Sequence, residues 1–356
     1  LRSLVGSEMC IRDRYGECIL QITKGTYDYE ITHPSYFDYK GRVTVGTSAM
    51  TVYVAMALNP ASLKPEENGN IQMMLVGTSC TISVTSPTTS YVIDWGDGTT
   101  ENASGTGSKS YSHTYGDSLF HQMEVRNCRN ITSCMGSISS LAAYWSIGDS
   151  SVSDITFKGC GKLIYFGKDV FKNDTNRSDV SSLLESCSSL TSVDLTPLAS
   201  WVNVTSCDYL LSNCSKLTSV DLTPLASWVN VTNCDYLLQN CTSLTSVDLT
   251  PLASWVKVTN CGSLLYGCAK LTSVDLTPLT SWVKMTSNSS LIYNCSKLIF
   301  ITVLSTTPFP LTYGALTNGN TCPIYVPDGA VNTYKTATNW SAYASRIKPI
   351  SEKTES

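Results

Sequence analysis

The sequence predicts a mainly β chain whose centre is a seven-coil solenoid of 27-residue period. One or two β-sandwich modules precede it and a small α/β cap follows. Three observations carry this expectation. Cysteine recurs every 27 residues at Cys187, Cys214, Cys241, Cys268 and Cys295. Trp201, Trp228, Trp255 and Trp282 keep the same spacing, and so do Pro197, Pro224, Pro251 and Pro278. The text between them is nearly copied: Leu-Thr-Ser-Val-Asp-Leu-Thr-Pro-Leu runs from Leu190 to Leu198 and again from Leu217 to Leu225. A fixed period of this size implies units that bury their apolar faces by stacking on their neighbours.

The first fourteen residues stand apart. Leu4 to Arg14, Leu-Val-Gly-Ser-Glu-Met-Cys-Ile-Arg-Asp-Arg, resembles the translation of an adapter used in preparing sequencing libraries. Residues 1–14 are therefore excluded from fold reasoning, Cys10 with them, and the native chain is expected to begin near Tyr15.

From 15 to 60 apolar and polar residues alternate in three runs: Tyr27, Tyr29 and Ile31; Val43 and Val45; then Val52, Val54, Met56 and Leu58. Period-two alternation predicts half-buried strands, with Gly25, Gly41 and Gly46 at turns. The pattern Gly25-Thr-Tyr-Asp-Tyr-Glu-Ile, then Tyr36-Phe37, then Gly41-Arg-Val-Thr-Val resembles a PEGA-like module, a small surface β-sandwich, without its first strand. Residues 61–70, which include Pro65, Glu66 and Glu67, read as a linker.

Between 71 and 127, Ile71–Val76, Cys80–Val84, Tyr91–Asp94 and Met123–Val125 read as strands. Trp95-Gly96-Asp97-Gly98 and Ser112-His113-Thr114-Tyr115 together resemble the PKD domain, an immunoglobulin-like sandwich. Gly96 and Gly98 permit a tight turn, Asp97 bonds turn amides, and Trp95 plugs the core. His113 with Asp97 has the look of a catalytic pair, but a structural role is expected.

The repeats occupy 128–304, with strand rows expected to begin at Ile131, Leu163, Leu190, Leu217, Leu244, Leu271 and Leu298. The first two are degenerate, as terminal units are. Within a unit, Leu217, Val220 and Leu222 match the leucine-rich repeat strand, and Cys207–Cys214 is expected to supply one or two helical turns. Cys-x-x-Leu-x-x-Val-x-Leu with an apolar pair before the cysteine resembles the BspA-like leucine-rich repeat family of bacterial surface proteins. That family usually carries Ala-Phe where this chain has Leu-Leu, and this unit is longer by a few residues. In 305–350, Ile324 to Tyr334 with Trp340, Tyr343 and Ile347 resembles the element that ends many such arrays. Asp328 is expected to cap a helix bearing Val331 and Tyr334, with Trp340, Tyr343 and Ile347 on one helical face. Residues 351–356 form a tail.

Composition narrows the function. Charged residues make up 15% of the chain and the net charge is −4, with no basic run, which argues against a nucleic-acid partner. No stretch approaches the roughly 18 apolar residues of a membrane span, so no membrane insertion is expected. The Gly-x-Ser-x-Gly, His-Glu-x-x-His, phosphate-loop and dinucleotide signatures are absent, and neither enzyme activity nor a cofactor is expected. The 15 cysteines invite disulfides or metal. Their equivalent places in successive units favour buried thiols instead, and all three histidines (His33, His113 and His121) lie outside the repeats.

Two ladders are candidate binding surfaces. Asp194, Asp221, Asp248 and Asp275 are expected to project from the strand face beside Thr196, Thr223, Thr250 and Thr277. As a solvated column at about 4.8 Å they either repel, with raised pKa values, or bond the threonines. Calcium or a cationic partner patch is the sharper alternative. Trp201, Trp228, Trp255 and Trp282 adjoin Val202, Val229, Val256 and Val283. If the valines point inward, the tryptophans either pack between coils or form an exposed aromatic strip. The resemblances imply a secreted or surface-displayed bacterial protein that binds an extracellular protein or glycan. A structural spacer or phage virion component, and an accessory module of a secreted hydrolase, are the alternatives.

Overall fold

The computed structural model describes residues 9–11, 18–20, 25–33, 36–45, 69–87, 90–118, 120–136, 138–316 and 321–353. The chain forms two compact units, Leu1–Glu66 and Glu67–Ser356. In the first, β1 (Met9–Ile11) pairs antiparallel with β2 (Cys18–Leu20), and β3 (Gly25–His33) with β4 (Tyr36–Val45). These last two are the first two alternating runs. The third, Val52 to Leu58, lies outside the described residues, as does the linker up to residue 68.

The second unit opens with two sheets. The strands are β5 (Ile71–Val76), β6 (Ser79–Ser86), β7 (Tyr91–Asp94), β8 (Thr100–Ala103), β9 (Gly107–Thr114), β10 (Phe120–Arg126), β11 (Ser133–Gly136), β12 (Leu141–Ile147) and β13 (Tyr165–Phe166). One sheet has the order β13-β12-β5-β10-β7-β8 and the other β11-β6-β9. Strand β6 buries Cys80, Ile82, Val84 and Ser86 and turns Ser79, Thr81, Ser83 and Thr85 to the other face. Trp95 is buried, its ring stacked on His113 at 4.9 Å, and the Tyr115 hydroxyl donates to its carbonyl at 3.0 Å. Gly96 is required twice over: its φ is 81°, and an added Cβ would lie 2.1 Å from the Gln122 carbonyl oxygen.

The sandwich does not stop at residue 127. Strand β12, expected within the first repeat, pairs antiparallel with β5 and parallel with β13. Its Leu-Ala-Ala-Tyr-Trp-Ser-Ile text is buried along nearly its whole length, as an interior strand requires. Residues 133–166 thus join the sheets to the repeats that follow.

The expected leucine-rich repeat solenoid is not found. The only α-helix among the described residues is α1 (Val331–Thr336), outside 128–304. The rows expected at Leu190, Leu217 and Leu244 carry no strand. Each aspartate carboxylate takes the amide two residues on, at 2.8 Å for Thr223 on Asp221, and a proline follows at the start of a 3-10 turn. Cross-unit bonding along these rows is sparse, as in Thr218 N–H to the Thr191 carbonyl at 3.1 Å; the row at Leu271 has the same turn and is a strand where Phe300–Thr302 pairs with it. Cys207–Cys214 is not helical either. It is a run of turns with Tyr209 and Asn213 at φ 57° and 61°.

What holds these units together is hydrogen bonding from one to the next. The N–H groups of Cys207, Tyr209, Leu211 and Asn213 donate to the carbonyls of Asn233, Asp235, Leu237 and Gln239 at 2.7–3.0 Å. Parallel bridges link Asp179, Ser206, Asn233, Asn260 and Ser287 in series. Strands appear only toward the end, where β14 (Ser273–Asp275), β15 (Phe300–Thr302), β16 (Ile324–Val326) and β17 (Ile347–Pro349) form a parallel sheet in chain order. The C-terminal segment therefore continues the stack. Asp328 does not cap α1; its carboxylate accepts the Ser351 amide, while Trp340, Tyr343 and Ile347 fall in turns and in β17.

Because each unit bonds only its neighbours, removal of Cys214–Asn240, one whole period, is expected to leave a cooperatively melting protein. Removal of 13 residues is expected to abolish the thermal transition. Circular dichroism melts of the two deletions check this, and equal melting would refute register-dependent stacking.

Candidate functional site

The two candidate ladders have opposite fates. Asp194, Asp221, Asp248 and Asp275 are exposed, and each accepts the amide of Thr196, Thr223, Thr250 or Thr277 at 2.8–2.9 Å. They are turn formers first. Hydrogen bonds from the Thr223 side chain and amide lower the Asp221 carboxyl, and those of Thr250 do the same for Asp248. Raised values, expected from column repulsion, are not found for these two; local bonding outweighs it. Among the described residues no group of three or more His, Cys, Asp or Glu side chains is arranged to hold a metal ion.

Of the two readings of the tryptophans, packing between units is what the structure shows, and the exposed strip is corrected. Trp201, Trp228, Trp255 and Trp282 are at most 1% exposed, whereas Val202, Val229, Val256 and Val283 are 47–70% exposed. Inward and outward are thus exchanged between the two columns. The 3-10 turn ends at the tryptophan, which packs beneath it, and the next residue is turned out. Trp228, Trp255 and Trp282 stack at 6.2 and 6.3 Å with planes 12° and 10° apart. Their indole N–H groups donate to the carbonyls of Leu198, Leu225 and Leu252 at 3.1, 3.0 and 2.9 Å. The indole thus satisfies its one polar atom inside the core. No ligand can reach these rings.

The cysteines are interior too. The thirteen cysteines from Cys80 to Cys322 are free and buried. The thiols of Cys187, Cys214, Cys241, Cys268 and Cys295 donate to carbonyls thirty residues earlier, at 3.1–3.3 Å. Burial pushes Cys214 and Cys295 up to about 12, so they stay protonated and unreactive at neutral pH.

The His113–Asp97 pair is real, at 2.7 Å, but it serves the turn. Burial works to raise Asp97; bonds from Thr99 and His113 outweigh it and bring the carboxyl down to about 2. His113 lies between the rings of Trp95 and Tyr115, at 4.9 and 4.8 Å, closing the sandwich corner.

Sequence reasoning passed over a set of tyrosines on the run of turns. Tyr209 and Tyr236 stack at 4.4 Å with planes 13° apart, and Tyr266 and Tyr293 at 5.4 Å and 24°. The signal was present in Cys-Asp-Tyr-Leu-Leu, but the segment was read as helix. No helix among the described residues is long and apolar enough to cross a membrane. Comparison of the chain with models of known protein families, and with curated proteins, finds no match.

Two outcomes follow. Trp255→Ala is expected to cost about 3–5 kcal/mol, against roughly 0.5 kcal/mol or less for Val256→Lys, read by urea unfolding. For the aspartates the folded pKa is depressed, so their contribution is present above the ordinary carboxylate value and is lost as pH falls through the folded one. Asp221→Asn with Asp248→Asn is expected to flatten the loss of stability below about pH 4, measured as melting temperature against pH.

Proposed function

We propose that this chain is a non-enzymatic binding protein, displayed on or released from a bacterial cell, that holds an extracellular protein or glycan against its repeat array. The observation that carries this reading is the in-register presentation of exposed side chains. Val229 and Val256, and Asp221 and Asp248, each recur on adjacent stacked units. Such a surface suits an extended ligand contacted many times weakly, where avidity does the work of a deep pocket. Repetition also opposes catalysis, which needs one unique constellation. The paired titratable groups of the sandwich, His113 with Asp97 and His121 with Asp117 at 2.9 Å, are engaged with each other at a turn and a strand end.

Binding of the labelled full chain to whole cells, extracellular-matrix proteins and immobilised glycans tests the reading. Retention is expected on at least one of these surfaces, and deletion of both Cys214–Asn240 and Cys241–Gly267 is expected to weaken it about tenfold or more. If the shortened chain binds as well as the intact one, the array is only a spacer and the reading fails.

A further inference from the structure

The cross-unit bridges form a column, Asp179, Ser206, Asn233, Asn260 and Ser287, and the column is open at its first member. In later members a residue's own N–H and carbonyl both bond back to the unit before. The Asn233 N–H donates to the Thr205 carbonyl at 3.2 Å, and the Asn233 carbonyl accepts the Cys207 N–H at 3.0 Å. Asn260 does the same with Thr232 and Cys234, at 3.2 and 2.9 Å. Two residues beyond Asn233, the Asp235 carbonyl accepts the Tyr209 N–H at 2.9 Å. At the head of the column neither the N–H nor the carbonyl of Asp179, nor the carbonyl of Ser181, has a hydrogen-bond partner among the described residues. The preceding segment is drawn aside there. Asp154 has a φ of 53° and gives its N–H to the Asp174 carboxylate at 2.9 Å. Asn173 Nδ2 holds the Val152 carbonyl at 2.7 Å, and Arg177 Nη1 holds the Ile155 carbonyl at 3.1 Å. Cross-unit bonding resumes at Phe157, whose N–H donates to the Leu183 carbonyl at 2.8 Å. The gap is a cleft of about 520 Å³, to which Asp154 and Thr156 contribute from one unit and Asp179 and Ser181 from the next.

We propose that this cleft takes an extended peptide segment of a partner protein, which adds to the open end of the column and carries a lysine or arginine beside Asp154 and Asp179. Open main-chain groups select a main chain. The Asp179 N–H needs an acceptor, and the carbonyls of Asp179 and Ser181 need donors two residues apart, which is the alternation along one edge of a strand. Within the array the neighbouring unit supplies that complement, as Cys207 and Tyr209 do for Asn233 and Asp235. A whole further unit does not fit, because contact between units is restored at Phe157. Charge then favours a basic side chain. The guanidinium of Arg177 is largely buried, with Asp174 and Asp154 at 3.5 and 3.6 Å from Nη2, so its charge is offset within the protein. The Asp154 carboxylate is 92% exposed, and Asp179 is exposed as well. A divalent cation is the poorer fit, since among the described residues no group of three or more His, Cys, Asp or Glu side chains is arranged to hold one. The cleft uses none of the exposed valines or aspartates of the array, so it stands independently of the binding role proposed above.

The test follows backbone amides of the isotope-labelled full chain by nuclear magnetic resonance. The probe is a hexapeptide of alternating valine and threonine with one central lysine, blocked at both ends. One companion peptide is N-methylated at its internal amides, and another has glutamate in place of the lysine. In the free chain the Asp179 amide hydrogen is expected to exchange about tenfold or more faster than those of Asn233 and Asn260. The lysine peptide is expected to slow that exchange about tenfold and to shift the Asp179 resonance. The N-methylated copy is expected to do neither, and the glutamate copy to bind about threefold more weakly. Asp154→Asn with Asp179→Asn keeps an acceptor for the Ser181 amide, which the Asp179 carboxylate takes at 2.8 Å. This variant is expected to melt normally and to lose the preference for lysine over glutamate. The proposal falls if the Asp179 amide is as protected as that of Asn233 in the free chain, if the lysine peptide leaves it unchanged, or if the N-methylated copy binds equally well. A preference for lysine that survives the double substitution overturns the role given to the two carboxylates.

Discussion

Everything in the array depends on a peptide group being able to bond outward in two directions at once. In the run of turns the peptide joining Ser206 to Cys207 accepts the Val180 amide through its carbonyl and donates its N–H to the Asn233 carbonyl. The peptides ending at Tyr209, Leu211 and Asn213 do likewise, each serving the unit before and the unit after. Two residues in each run, four apart, adopt left-handed backbone: Tyr209 and Asn213 in one unit, Tyr236 and Asn240 in the next. A slip of one residue would turn these groups into the unit's own interior, where they would go unpaired at a cost of roughly 1–3 kcal/mol each.

That constraint explains the interior. With the backbone bonded along the stack, each unit can bury only side chains that fit a fixed spacing or satisfy their own polar atoms. Leucine does the first. Tryptophan and cysteine do the second, sending an indole N–H or a thiol to a carbonyl of the preceding turn. At the beginning of the column the equivalent place is Asp174, a buried carboxylate that accepts the Asp154 amide at 2.9 Å and lies 3.5 Å from Arg177. Arg177 in turn sits over the Trp201 ring at 5.2 Å. Beyond Trp201 the aromatic packing passes to Phe171, edge-to-face at 5.1 Å, with the charge pair beside it.

The period, the buried thiols and the two-sheet module around Trp95 were legible because each follows from spacing or from turn chemistry carried by a few residues. Direction was not. Alternation along Trp-Val predicted the valine inward, but alternation holds for extended strands, and this dipeptide follows a 3-10 turn that inverts it. The strand rows failed for another reason: the identical Leu-x-x-Val-Asp-Leu text is a strand at Ser273–Asp275, where Phe300–Thr302 pairs with it, and not in the three earlier rows, so the outcome depends on the neighbouring unit and not on the row's own composition. Helical spacing in Cys207–Cys214 misled in the same way, since i and i+3 neighbours also coincide in consecutive tight turns. Of the candidate surfaces, the aspartates are accessible but occupied locally, and the tyrosines were hidden by the helical reading.

The final strand has a consequence for assembly. A parallel stack whose last edge were open would recruit another copy of itself and grow into a filament, its length set by concentration. Here β17 ends in Pro349, which has no N–H to offer, and it exposes Lys348 on that edge. At the other end β13 is paired with β12 of the sandwich sheet. Both features disfavour addition of a further copy to the ends of the stack.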